Sequence, residues 1–290
     1  HERTRRDKED DRTRHMLALG AQTGPVFLIY RARVEIDRIV AEAARAEPLV
    51  DFEAVDGVRH TLWRMGGGDR DRLVEAAGRI PVLYIADGHH RAASAARARA
   101  EMQERRLASA PLGDGADGAT FLAVAFPDNR VQILPYNRIV KDLGGLSRDD
   151  FLQAVRGRFE LEKGPATPVR RGDIAMYFQG SWHTLRARVP PNRADAIASL
   201  DVSVLQDGLL APVLKIADVR TDTRIEFVGG ARGTAALERL VDSGRAAVAF
   251  SLFPVAVADL MAVSDAGAIM PPKSTWFEPK LRDGLLIHVI

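Results

Sequence analysis

The densest chemistry in the chain sits in five consecutive residues, Asp87-Gly88-His89-His90-Arg91. They fall where the sequence changes pattern. Residues 81–86 form a short apolar run with β-branched and aromatic members, which reads as a buried strand. Residues 92–106 are rich in Ala, Arg, Glu, Met and Gln, with no Gly or Pro, and read as a helix. A helix start leaves backbone N–H groups unpaired and carries partial positive charge. Gly88 permits a sharp turn and close approach of a ligand. His89, His90 and Arg91 add side-chain donors, and Asp87 can cap the helix or hold a cation. The pattern predicts an anion site, most naturally for phosphate, at the carboxyl end of a strand, where α/β sheets place ligands. The plain alternative is a capped turn with two solvated histidines.

Two further stretches carry chemistry. In Met270-Pro271-Pro272-Lys273-Ser274-Thr275-Trp276-Phe277-Glu278-Pro279-Lys280, three prolines stiffen the backbone. A stiff loop bearing Lys273, Ser274 and Thr275 side by side holds oxyanions at low entropic cost. Lys273 and Lys280 are two of only six lysines. Trp276 and Phe277 read as an anchor onto the core, with base stacking as the alternative. In Leu134-Pro135-Tyr136-Asn137-Arg138, Asn137 and Arg138 fall at a predicted strand end. Arg138 reads as a phosphate or carboxylate contact, or as half of a surface ion pair. Gly229-Gly230-Ala231-Arg232-Gly233 joins a strand to a helix but lacks the Lys-Ser/Thr ending of a P-loop, so it reads as a flexible turn.

Together with His1-Glu2-Arg3-Thr4 and Lys8-Glu9-Asp10-Asp11-Arg12, the stretches around Asp87–Arg91, Leu134–Arg138 and Met270–Lys280 resemble the signature of DUF1015, a bacterial and archaeal family of unknown function, over nearly the whole chain. More distantly, a strand followed by Gly, polar residues and an Arg opening a helix is similar to the ParB/sulfiredoxin superfamily. That superfamily includes nucleotide-binding partition proteins, sulfiredoxins and free-serine kinases. The resemblance implies a phosphotransferase using ATP or ADP with Mg2+, and a small hydroxyl-bearing acceptor such as serine. It also implies a candidate catalytic set of Glu2, Asp87, His89 and His90, with Glu2 or Asp87 taking the acceptor proton. Asp87 is the candidate Mg2+ ligand. Gly88, Arg91, Asn137, Arg138, Lys273, Ser274, Thr275 and Lys280 form the implied phosphate- and nucleotide-binding set. Family members carry a segment ahead of the position of His1, so that part is expected to lie outside this chain.

Two other readings stay open. One is a ParB-like nucleotide-binding regulator without catalysis. The other is a metal-dependent hydrolase using Asp87, His89, His90 and His1, although adjacent histidines on a helix diverge by about 100°.

Composition narrows the classes. A chain of 290 residues with 46% hydrophobic and 28% charged residues is that of an ordinary globular protein. A net charge of +2 gives no strong pull toward nucleic acid or membrane. No basic helix-turn-helix is visible, which argues against nucleic acid as partner, and no apolar run is long enough to span a bilayer. A homo-oligomer stays open. The absence of cysteine excludes disulfides and thiolate chemistry, disfavours the sulfiredoxin branch, and fits a reducing cytoplasm.

The elements that must position these residues follow from periodicity. The expected class is mixed α/β: a ParB/sulfiredoxin-like strand-to-helix core in residues 1–118, then a mixed-sheet portion in 119–290, with a second boundary near Pro190-Pro191. Residues 26–30 are a buried strand, and residues 49–52 and 59–64 form a hairpin around Asp56-Gly57. Residues 120–126 and 131–134 are expected to pair as a hairpin. So are 173–178 and 183–189, through a type II′ turn at Gly180-Ser181. The last third alternates strand and helix, which favours a mixed or parallel sheet.

Overall fold

A computed structural model describes residues 4–108, 120–192 and 194–290. Among these the chain forms eight α-helices and fifteen strands, a mixed α/β fold. Its first part runs α1 (Arg6–Leu19), β1 (Ala21–Gln22), β2 (Val26–Tyr30), α2 (Val34–Ala43), β3 (Val50–Glu53), β4 (Arg59–Leu62), α3 (Gly67–Gly78), β5 (Tyr84–Asp87) and α4 (His89–Ala108). The middle continues with β6 (Ala123–Pro127), β7 (Gln132–Leu134), β8 (Tyr136–Val140), α5 (Arg148–Arg158), β9 (Phe159–Lys163), β10 (Ile174–Phe178), β11 (Ser181–Ala187) and α6 (Asp201–Leu205). The last part is β12 (Ile225–Gly229), α7 (Thr234–Asp242), β13 (Val248–Leu252), α8 (Val257–Asp265), β14 (Trp276–Glu278) and β15 (His288–Val289). No helix among the described residues is long and apolar enough to cross a membrane.

The Val-Phe-Leu-Ile-Tyr sequence of β2 is apolar on both faces, and all five residues are buried. It therefore takes the centre of a three-stranded sheet, with β5 antiparallel on one side and β6 parallel on the other. The hairpin expected between residues 120–126 and 131–134 does not form. β6 joins β2, and β7 pairs instead with β14. Burial decides this: Phe126 packs on Phe27 at 5.0 Å between ring centroids, and Phe277 of β14 meets the same ring at 5.7 Å. Ile133, Leu260 and Phe277 thus share one core with Phe27, Ile29 and Tyr84. The boundary expected at 118 falls among residues 109–119, outside those described.

The second sheet has six strands in the order β12-β8-β13-β10-β11-β9, every pair antiparallel. This differs from the mixed or parallel sheet expected of the last third. The strand–helix–strand unit β12-α7-β13 does give two co-directional strands, but β8 inserts between them and opposes both. Asn137, Arg138, Ile139 and Val140 are all buried, so β8 needs a neighbour on each side. The β10–β11 turn is Gln179-Gly180, both at positive φ (51° and 73°), because Ser181 already pairs with Phe178. That is the type I′ pattern, one residue earlier than expected and of the other mirror type. The β3–β4 hairpin forms around Asp56-Gly57 as its dipeptide predicts, with Val50 opposite Leu62.

The larger core lies on one face of this sheet, under α5 and α6. Asp201, the first residue of α6, is caught at its margin. Its carboxylate accepts the Gly172 N–H at 2.9 Å, yet burial pushes its pKa up to about 6. A carboxyl whose folded pKa lies above its unfolded value binds more protons when folded, so its ionisation lowers stability as pH rises from about 4 through 6. Asp201→Asn keeps the acceptor and removes the charge. The expected gain is on the order of 1 to 3 kcal/mol at pH 7.5, vanishing near pH 4, read from urea unfolding at both values.

Candidate functional site

Asp87 closes β5, and Gly88 turns the chain at φ +86°, a left-handed conformation that a side chain strains. The β5–β2 ladder shifts register beside Asp87, an irregularity of the kind that re-aims a side chain. The exposed Asp87 carboxylate accepts the Gly88 N–H at 2.7 Å and faces Lys280, whose Nζ is 3.9 Å away. Helix α4 starts at His89, so the two histidines and Arg91 fan out around its first turn. His89 is buried, and desolvation pushes its imidazole down to about 4, keeping it neutral. The His90 Nε2 accepts the Arg5 N–H at 3.0 Å, which ties the segment ahead of α1 to the start of α4. Arg91 donates to the Pro25 carbonyl at 2.6 Å, and its other terminal nitrogen lies 3.5 Å from Asp283.

The five residues therefore divide. Asp87 turns toward the proline-stiffened loop, while His90 and Arg91 brace neighbouring segments. Gly88, His89, His90 and Arg91 do not line the pocket that Asp87 enters. Glu2 and His1 lie outside the described residues.

That pocket is walled by Asp87, Tyr136, Lys273, Ser274, Thr275, Trp276 and Lys280, with Ala86 and Met270 behind them. Its volume of about 140 Å³ equals about five water molecules, room for a phosphoryl or carboxylate group. The loop that forms it is not continuous coil. Residues 276–278 become β14, whose alternation sends Phe277 into the core and leaves Trp276 at the pocket. Phe277 thus anchors the loop, and its neighbour faces the cleft. The Trp276 ring rests on Gly229, where a Cβ would lie 2.5 Å from it, and a Cβ on Gly230 would lie 2.7 Å from the Pro135 carbonyl oxygen. The glycines that read as a flexible turn are there for close packing.

Arg138 holds the loop from below. It lies inside β8 with 1% exposure, neither at a strand end nor in a surface ion pair. One terminal nitrogen donates to the Tyr136 carbonyl at 2.6 Å. The other donates to Lys273 at 3.2 Å and approaches Pro272 at 3.5 Å. The guanidinium stacks 5.3 Å from the Phe227 ring centroid. Burial lowers its pKa to about 9, which leaves it charged at neutral pH. Its grip helps keep Lys273 at φ +52°. Asn137 is also buried, with Oδ1 3.4 Å from the Leu252 N–H, and does not line the pocket. The Ser274 hydroxyl donates to Pro271, fixing the bend.

Both lysines are steered by rings. Lys280 Nζ sits 4.7 Å from the Trp276 centroid, and Lys273 Nζ sits 5.7 Å from that of Tyr136. The two rings meet edge-on at 5.4 Å. Tyr136 was within reach of sequence reasoning, because it stands directly after a proline and two residues before Arg138, but type alone did not mark it as pocket wall. No group of three His, Asp or Glu suited to a metal occurs among the described residues.

Fold and pocket together define a mixed α/β protein with a small, lysine-rich cleft. The chain belongs to the DUF1015 family, described as a protein of unknown function, whose model matches residues 1–203. That match takes in Asp87, Tyr136 and Arg138 and stops short of the 270–280 loop. No curated protein sequence matches the chain. Among solved structures it is similar to a free serine kinase in complex with AMP, at 12% identity and TM-score 0.43, over 96% of this chain and 82% of that one. It is also similar to SbnI with C-terminal truncation from Staphylococcus aureus, at 12% identity and TM-score 0.47, over 98% and 80%. A conserved hypothetical protein from Pyrococcus furiosus matches at 14% identity and TM-score 0.42, over 98% and 88%.

The loop's dependence on Arg138 is directly measurable. Arg138→Leu removes the carbonyl contacts, so amide hydrogen exchange at residues 273–275 should accelerate about tenfold or more, the scale of one lost charged hydrogen bond, ~1.5 kcal/mol. Exchange in β13 should stay unchanged. Equal protection of residues 273–275 in both proteins would mean that another contact holds the loop.

Proposed function

We propose that this chain binds a nucleotide by its phosphates at the Asp87–Lys273–Lys280 pocket and transfers a phosphoryl group to a small hydroxyl-bearing metabolite. The observation that carries the reading is the meeting of two stretches far apart in sequence. The turn after β5 brings its carboxylate to 3.9 Å from Lys280, in a cleft that also presents Lys273, Ser274 and Thr275. Two ammonium groups and the Thr275 hydroxyl against a single carboxylate make a wall suited to a phosphoryl group, with the Ser274 hydroxyl spent on the Pro271 carbonyl. The likeness of the Gly88–Arg91 turn, which adjoins this pocket without lining it, to the ParB/sulfiredoxin motif supports a nucleotide, and the free-serine-kinase branch supports a serine-like acceptor.

In this reading the lysines neutralise charge spreading over the transferring group. Asp87 takes the proton of the acceptor hydroxyl. The acceptor oxygen bonds to phosphorus as the phosphoanhydride P–O bond breaks, and the nucleotide leaves with that electron pair. Trp276 and Tyr136 hold the lysines over the cleft and limit water. Arg138 is a positioning residue. Mg2+ binds through one or two carboxylates plus phosphate oxygens; Asp87 would suit that role in place of proton acceptance, not together with it, and only when phosphates complete the set. When bound, the ion would add neutralising charge to the phosphates. The cleft takes phosphate, so the nucleoside extends beyond it.

Purified protein with ATP or ADP, with and without Mg2+, and a panel of hydroxyl compounds led by serine tests this by phosphorus NMR of the products. Lys273→Ala and Lys280→Ala should each lower kcat/KM about 10²-fold, ~2.7 kcal/mol. Asp87→Asn should lower kcat about 10²- to 10⁴-fold with nucleotide affinity little changed. Nucleotide binding without product would convert the reading to a regulatory module. Neither binding nor product would end it.

A further inference from the structure

A second cavity lies at the other edge of the six-stranded sheet. β8 stands second in that sheet and β9 last, so four strand spacings, roughly 19 Å, separate the lysine-rich pocket from it. Its volume is about 890 Å³, in the range of small-molecule sites. The floor is carbon. Leu146, Ala154, Ala187, Val204 and Val213 line it and also pack onto the large core. Gly208 lets the Phe159 ring pack hard against one wall, where a Cβ would lie 2.6 Å from that ring. It belongs to a π-helical turn, Gln206–Leu210, a form that recurs at functional sites.

The rim is cationic. Arg158 and Arg188 are neighbours across the β9–β11 edge: the Arg188 N–H bonds the Arg158 carbonyl at 2.9 Å, one step beyond the pair Ala187 and Phe159. Lys215 adds a third cation, and Asp207 is the one acid among the described residues that line the cavity. The ion pairs of this edge bypass both arginines, running from Arg186 to Glu162 and to Asp173. Arg188 Nε donates to the Arg156 carbonyl at 2.8 Å, and its two terminal nitrogens remain, among the described residues, for a ligand. Like charges side by side across a ladder repel each other. An anion seated between them would relieve that.

We infer that this cleft is a binding site for an aliphatic carboxylate, with its chain on the carbon floor and its head between Arg158 and Arg188. The planar guanidinium fork matches a carboxylate through two parallel hydrogen bonds. An alkyl phosphate shares this chemistry, so the head groups are compared directly.

Calorimetry on the full chain with decanoate, decyl phosphate, decanol and decyltrimethylammonium, all below their micellar concentrations, tests the assignment. Decanoate should bind at least tenfold more tightly than decanol, and the cation should not bind. Arg158→Glu combined with Arg188→Glu should weaken decanoate tenfold or more and leave decanol unchanged. Ala154→Trp, which fills the cleft from α5, should weaken both, with circular dichroism confirming the fold of each variant. The inference is overturned if the folded protein takes up no decanoate, if decanol equals decanoate, or if the variants bind decanoate as before. Tighter binding of decyl phosphate overturns the carboxylate assignment. Phosphoryl transfer uses the other pocket and does not enter this readout.

Discussion

A guanidinium shut away from water is the constraint around which the candidate site is arranged. Arg138 has no carboxylate within ion-pair reach among the described residues, and its charge is met by backbone carbonyls and an aromatic face. Such a group is costly to bury alone, so the carbonyls it meets are pinned in return. Two of these carbonyls belong to the proline-stiffened loop and one to the start of β8. The loop is thereby fastened to the central sheet at the point where Lys273 must leave it. Prolines limit the loop's own freedom, and the arginine supplies the tie that gives it a place.

Around that tie the pocket gathers parts from different structural units. β5 belongs with the three-stranded sheet, β8 with the six-stranded one, and β14 with β7 in a two-stranded strip of its own. Phe277 and Trp276 point opposite ways from one short strand, so a single pairing both secures the loop and finishes the wall. Gly229, the last residue of β12, admits the indole at close range. The cleft therefore relies on packing around it more than on hydrogen bonds within it.

What the sequence made legible was local. Residues 26–30 announced a strand buried on both faces. Asp56-Gly57 marked its hairpin, and the shift from apolar run to alanine-rich helix marked the turn at Gly88. Side-chain type also singled out the two stretches that share the pocket. Partner choice was not local. Whether residues 123–127 fold back on 132–134 or reach β2 depends on Phe27 and Phe277, which lie far away in the sequence. Arg138 looked exposed because a polar pair after a proline usually ends a strand. Its burial follows from β12 and β13 closing on both sides, which no window around residue 138 contains. Strand–helix–strand alternation pointed to a mixed or parallel sheet, and could not disclose that an earlier strand slips between the two co-directional ones and makes every pairing antiparallel.

The insertion of β8 between β12 and β13 bears on how the molecule is made. A ribosome delivers β8 long before either of its flanking partners, so a strand carrying a charged residue must wait, unpaired, through much of synthesis. Asp87 and Tyr136 emerge well ahead of Lys280. Nascent chains interrupted before residue 270 would carry Asp87 and Tyr136 without the loop that completes the cleft, and chaperone dependence should concentrate in the interval between residues 140 and 250.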